Sequence, residues 1–296
     1  MRVLVLEGGG MRAGFVAGAV MALMDEGWTD FDAAVAVSAS VPTLAYFATG
    51  QREDIEQVWR RELCSPRLVC YRNIPAASLA LSTERPVVNI DYLVDDVFKA
   101  QHPLDLEALH AADLECRFAA TRVPEGALAL LNPREHEVYT LMKACLAVPG
   151  CYPGTVSVDA CEYLDGGTVH PLPFLGPLHD GGDQVLAILS KPQGSDAHLV
   201  GFWEKLLFWR YFHRYDWMEE KLLLAEQSYH EHVTFLAREA QSHPTRALAL
   251  HPDCDLPARF LTRNEHKLNE TIDLGYQAVV AHGKALDRFF EAGSAA

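Results

Sequence analysis

Val3-Leu4-Val5-Leu6-Glu7-Gly8-Gly9-Gly10-Met11-Arg12-Ala13-Gly14 carries a short apolar run into three consecutive glycines and an arginine. Glycine lets backbone N–H groups turn toward a negatively charged oxygen with no Cβ in the way. The loop is therefore built to hold an anion. Two anions fit: the pyrophosphate of a cofactor, or the oxyanion formed while an ester breaks.

The surrounding pattern gives the setting. Residues 2–6 read as a buried strand and 14–26 as a helix, with Phe15, Val20, Leu23 and Met24 apolar at helical spacing. Residues 33–37 form a second apolar strand run, and 41–49 read as a helix that stops at Gly50. This strand–turn–helix rhythm predicts a parallel sheet covered by helices. Further along, helices are expected over 55–63, 104–112 and 138–147, and strands over 115–121, 185–189 and 247–250. A hairpin over 156–164 turns at Asp159-Ala160, and residues 70–89 read as an irregular loop. Residues 202–240 read as largely helical, and 264–292 as one closing helix. No repeat or clear linker divides the chain, which predicts an α/β core over 1–190 and a mainly helical extension over 191–296 packed on it.

Composition narrows the function. At 296 residues the chain can bury a full core. Apolar residues make up 49% and charged residues 22%, an ordinary globular balance. The formal net charge of -15 argues against nucleic-acid binding, where phosphate contacts need a basic surface. The seven cysteines show no CxxC spacing and the 13 histidines no HExxH, so neither a metal nor another cofactor is expected. No apolar run is long enough to span a bilayer and no secretory leader is visible, which predicts reduced thiols and a cytoplasmic protein.

The dinucleotide reading of the loop rests on Gly8-Gly9-Gly10-Met11-Arg12-Ala13, which fits G-x-G-x-x-A. That fingerprint needs an acidic residue at the end of the second strand, where this chain has Ser38-Ala39-Ser40; Asp30 and Asp32 lie at the wrong end. The alternative starts from Ala36-Val37-Ser38-Ala39-Ser40. A serine that ends an apolar strand and opens a helix has the position of a nucleophile elbow, with the helix N–H groups behind it. Its bland reading is a helix N-cap. A third element, Tyr163-Leu164-Asp165-Gly166-Gly167, closes the hairpin with a carboxylate on a glycine corner.

Taken in this order, Gly8-Gly9-Gly10-Met11-Arg12, Ser38 and Asp165-Gly166-Gly167 resemble the patatin-like phospholipase family. Lys143-Ala144-Cys145-Leu146-Ala147-Val148-Pro149 also resembles the segment that precedes the family's aspartate. The resemblance implies a three-layer α/β fold with a mainly parallel sheet. It also implies a serine acyl hydrolase acting on lipid or small acyl esters through a Ser38–Asp165 dyad. Gly8, Gly9, Gly10 and Met11 would donate N–H groups to the oxyanion, with Arg12 adding positive charge. Ala36, Ala39 and Ser40 would shape the elbow, and Gly166 and Gly167 the aspartate loop.

The chain departs from the family pattern at Ala13, Ala36 and Ser40, each in place of a glycine, and Pro42 falls in the first turn after the serine. These departures leave open a catalytically weak or silent member that binds lipid or assembles with other proteins. His170, before Pro171, reads as a structural or solvated residue rather than a triad member. The aromatic-dense stretch from Phe202 to Trp217 reads either as a packed helix or as a peripheral membrane contact. The oligomeric state is open.

Overall fold

The computed structural model describes residues 1–78, 85–173, 183–194 and 215–293. Among the described residues an eight-stranded sheet forms the centre, its strands paired along the path β5-β6-β3-β2-β1-β7-β8 with β4 also paired to β3. The strands are β1 (Arg2–Leu6), β2 (Ala33–Val37), β3 (Glu115–Arg122), β4 (Ala127–Leu131), β5 (Val156–Val158), β6 (Cys161–Asp165), β7 (Gln184–Ile188) and β8 (Ala247–Leu250). The run β3-β2-β1-β7-β8 is parallel, whereas β4, β5 and β6 pair antiparallel.

Strands β1 and β2 are buried at every position, as expected for parallel strands covered on both faces. Leu4, Leu6, Ala34, Ala36 and Phe118 face one core. It is closed by α1 (Gly14–Asp25), α2 (Val41–Ala48), α3 (Arg52–Gln57) and α6 (Val138–Leu146), while α4 (Ile74–Ser78) and α5 (Leu106–Ala111) lie in the connections. Val3, Val5, Val35 and Val185 face the other core, covered by Tyr229 and Leu236 of α7 (Met218–Ser242). The alternation follows from the two-residue period of a strand.

The C-terminal helices α8 (Glu265–Ala281) and α9 (Gly283–Gly293) lie on the first face. Helix α8 meets α1 backbone to backbone. A Cβ on Gly18 would stand 1.9 Å from the Ile272 carbonyl oxygen, and one on Gly275 would stand 1.9 Å from that of Phe15.

Several elements differ from the sequence expectations. Residues 127–131 form β4, although Ala-Leu-Ala-Leu-Leu favours helix intrinsically; pairing from Phe118↔Leu131 to Arg122↔Ala127 overrides that preference. Tyr92–Gln101 is a wide π-type helix that the spacing did not announce, and Val58–Glu62 continues α3 in the same wound form. The closing helix breaks at His282 into α8 and α9. Inside the expected loop over 70–89, Tyr71–Asn73 and α4 are helical turns. Of the expected helix over 202–240, residues 202–214 lie outside the described residues. Tyr215 and Trp217 stack at 5.6 Å, and the Trp217 indole N–H donates to the Val123 carbonyl at 2.8 Å. No helix among the described residues is long and apolar enough to cross a membrane.

Candidate active site

Parallel strands deliver all their carboxyl ends to one edge of the sheet, where α/β proteins bind ligands. Here β1 delivers the glycine loop, β2 delivers Ser38, and β7 delivers Ser190 and Lys191. Asp165 arrives by another route. Val37 pairs opposite Ala119 of β3, and Asp165 pairs opposite the next residue, Ala120. Since β4 occupies the other edge of β3, β6 continues the line of β2 end to end. Ser38, one residue past Val37, therefore meets Asp165 where the two strands abut.

Ser38 has φ 54, a left-handed conformation rare outside glycine, asparagine and aspartate. A strained turn of this kind is the backbone geometry that a nucleophile elbow requires. The turn is closely backed: a Cβ on Gly8 would lie 2.8 Å from the Ser38 Cβ. Ala36 is fully buried in β2 and its methyl joins the core. Ala39 is partly buried beside the serine. Ser40 is fully buried, and its hydroxyl donates to the Glu7 carbonyl at 2.6 Å.

The Asp165 main chain is fixed on both sides. Its N–H donates to the Ala147 carbonyl at 3.1 Å, and its carbonyl accepts from Thr121 Oγ1 at 2.8 Å. The carboxylate is buried; Oδ1 accepts from the Gly167 N–H at 2.7 Å, while Oδ2 is buried with no hydrogen-bond partner. Desolvation raises its pKa to about 7, partly offset by the Ser38 hydroxyl and the Gly167 amide. The Ser38 hydroxyl therefore faces the carboxylate and favours its ionised form. Glycine is required at 166 because a Cβ there would stand 2.5 Å from the Ala119 carbonyl oxygen. At 167 a Cβ would crowd Asp165 Oδ1 at 3.0 Å.

In the glycine loop, Gly9 (φ 137) and Gly10 (φ 58) occupy conformations that disfavour any side chain. Among the described residues, the amides of Gly8, Gly9 and Gly10 have no protein acceptor. The Met11 amide, which the resemblance counted among the oxyanion donors, already donates to the Phe260 carbonyl at 3.1 Å. The Arg12 amide donates to the Gly9 carbonyl.

Charge behind the loop comes from residues that the sequence did not flag for function. Glu7 is buried and its pKa is raised by desolvation, against the opposing pull of Lys191, the Ser190 amide, Arg12 and Tyr229. Lys191 Nζ lies 4.9 Å from the centre of the Tyr229 ring. The available signal was Ser190-Lys191, two polar residues at the carboxyl end of an apolar strand. His170 lies apart from the serine, stacked against His232 at 6.3 Å, and its pKa is lowered by burial, His232 and Lys221. No cluster of metal-ligating side chains occurs among the described residues.

Two cavities meet at Ser38. One is lined by Gly8, Gly9, Arg12, Asp165 and Lys191. The other is walled by Tyr46, Trp59, Leu93, Phe98 and Leu146. Ser38, Val148 and Phe260 line both.

A mainly parallel α/β sheet thus carries a serine at a strained strand end, a buried carboxylate beside it and a glycine loop. Comparison with known proteins gives the family and the fold. The sequence model of the patatin-like phospholipase family matches residues 4–178, and the chain belongs to that family, whose members are lipid acyl hydrolases. An uncharacterized protein of Escherichia coli K12, YjjU, is 26% identical over 197 residues, which are 64% of this chain and 52% of the relative. The chain thus spans about half the length of that relative. The crystal structure of VipD from Legionella pneumophila shares the fold at a TM-score of 0.51 and 11% identity. That match covers 97% of this chain and 66% of VipD.

Proposed function

We propose that this protein is a serine acyl hydrolase that cleaves carboxylic esters of lipids through Ser38 and Asp165. The observation that carries the reading is Asp165: a buried carboxylate, pKa about 7, beside the hydroxyl of a serine held at positive φ. An ordinary carboxylate is too weak a base for a serine at neutral pH, and desolvation removes much of that mismatch.

In this reading Ser38 Oγ attacks the acyl carbon and its proton passes to Asp165. Negative charge collects on the carbonyl oxygen, facing the amides of Gly8, Gly9 and Gly10, with Arg12 and Lys191 nearby. Each such donor contributes about 3 kcal/mol to transition-state stabilisation. Collapse expels the alcohol, which takes the proton from Asp165. Water then attacks the acyl-serine, with Asp165 as base, and releases the fatty acid.

The two cavities divide the substrate. The acyl chain occupies the cavity walled by Tyr46, Trp59 and Phe98, and the alcohol portion the cleft that holds Arg12, Asp165 and Lys191. The same reading includes peripheral contact with a lipid surface: Leu223 and Leu224 stand exposed on α7 beside Leu222 of the cleft wall. The test is labelling by a fluorophosphonate probe together with hydrolysis of p-nitrophenyl acyl esters. Wild type labels and turns over; Ser38→Ala does neither, and Asp165→Asn loses turnover. Equal turnover by wild type and Ser38→Ala overturns the hydrolase reading and leaves a lipid-binding role.

A further inference from the structure

Ser40 occupies a position where the family pattern has glycine, and the fold gives its hydroxyl a task. A trans peptide is planar, so a carbonyl and the N–H that follows it point in opposite directions. The Glu7 carbonyl shares a plane with the Gly8 N–H, and the Gly8 carbonyl shares one with the Gly9 N–H. Ser40 Oγ donates to the Glu7 carbonyl at 2.6 Å. Ser190 Oγ donates to the Gly8 carbonyl at 2.8 Å. Both hydroxyls are buried, so water does not compete for either carbonyl. Ser190 is itself held by its N–H, which donates to Glu7 Oε2 at 2.6 Å.

Glycine peptides have little conformational preference of their own, so a loop of three needs restraint from outside. The restraint comes from two strands that flank β1 in the sheet: Ser40 follows β2 and Ser190 follows β7. We infer that Ser40 and Ser190 are positioning residues that fix the orientation of the Gly8 and Gly9 amides from opposite sides of the loop. The orientation serves the oxyanion, and in that respect the inference rests on the hydrolase reading above. Ser40 then couples the nucleophile turn to the oxyanion loop directly, and its Cβ is the arm of that tie.

The variants are Ser40→Gly, which restores the family's glycine, Ser190→Ala, and the hydroxyl-retaining Ser190→Thr. Three measurements apply to each: kcat and KM on a p-nitrophenyl acyl ester, affinity for a long-chain trifluoromethyl ketone, and NMR order parameters of the Gly8 and Gly9 amides. The ketone forms an anionic hemiketal with Ser38 and so reports on the oxyanion donors. In Ser40→Gly and Ser190→Ala we expect kcat to fall about tenfold or more with KM within about twofold, and ketone affinity to fall in parallel. Order parameters at Gly8 and Gly9 fall, and Ser190→Thr recovers all three. A kcat in Ser40→Gly at or above that of wild type overturns the inference, as does a rise in KM with unchanged ketone affinity. Should wild type show no Ser38-dependent turnover, the hydrolase reading falls separately. The order parameters then decide: unchanged values at Gly8 and Gly9 in both variants overturn the inference, and lower values uphold it. If Ser40→Gly does not fold, Ser190→Ala carries the test.

Discussion

Gly8 packs against Ser38 so closely that the smallest side chain added at position 8 would fall 2.8 Å from the serine Cβ. The Val37 carbonyl oxygen, at 3.0 Å from the same point, blocks retreat along the strand. Gly8→Ala must therefore displace either the loop or the elbow. A displacement of about an ångström costs on the order of a hundredfold in rate when attack geometry is lost. We expect Gly8→Ala to fold and to react with a fluorophosphonate at least about a hundredfold more slowly than wild type. Labelling at the wild-type rate would show that the loop and the serine do not work as a unit.

In the hydrolase reading, Asp165 sets the pH dependence. As a base it acts only when ionised, so kcat/KM should rise with pH to a plateau, with a midpoint near 7. Stability runs the other way. The folded carboxyl titrates near 7 and the unfolded one near 3.8, so between these values the folded chain holds a proton that the unfolded chain has lost. Stability from this group is complete below about pH 4 and declines until about pH 7. The shift corresponds to at most about 4 kcal/mol. Asp165→Asn keeps an oxygen for the Gly167 amide and removes the charge. Denaturant melts should show it more stable than wild type at pH 8, with the gap closing toward pH 4. A gap independent of pH would remove the case for a desolvated base.

Chain-length preference should follow the apolar cavity. Leu93 lines that cavity and is absent from the cleft that holds Asp165. Leu93→Trp fills space that a long acyl chain needs and leaves Ser38, Asp165 and the glycine loop alone. We expect kcat/KM on a p-nitrophenyl palmitate-type ester to drop about tenfold or more relative to the butyrate. An unchanged ratio would place the acyl chain elsewhere.

The contact of Gly275 with the Phe15 carbonyl bears on domain organisation. We propose that the extension over 191–296 folds as one unit with the core. Gly275→Leu would then force α1 and α8 apart and destabilise the whole molecule by about 2 kcal/mol or more. Urea unfolding should stay a single transition, shifted to lower urea. Two separate transitions, with only one of them moved, would mean two folding units.

Much of this architecture was legible along the chain because its signals are local. Apolar runs mark β1 and β2, the first stopped by glycines and the second by Ser38-Ala39-Ser40, and the observed bounds at 33–37 and 247–250 agree with the expected ones. The hairpin turn at Asp159-Ala160 is also visible, since both residues take positive φ in the left-handed turn that short hairpins prefer. Local signals failed where partners decide the conformation. Ala127–Leu131 is a strand because β3 offers it an edge, and 92–101 winds wide for reasons that its spacing does not display.

The order of the glycine loop, Ser38 and Asp165-Gly166-Gly167 along the chain was enough to nominate these residues, through its resemblance to the patatin-like family. Folding in three dimensions added what lies between those segments. The abutment of β6 on the end of β2 brings a carboxylate to a hydroxyl more than a hundred residues away. The same register carries Ser190 to the Gly8 carbonyl and turns Ser40 from a missing glycine into a hydrogen-bond donor. Desolvation, which moves Asp165 into the range of a useful base, depends on every chain segment that covers it, and no short stretch of residues encodes that.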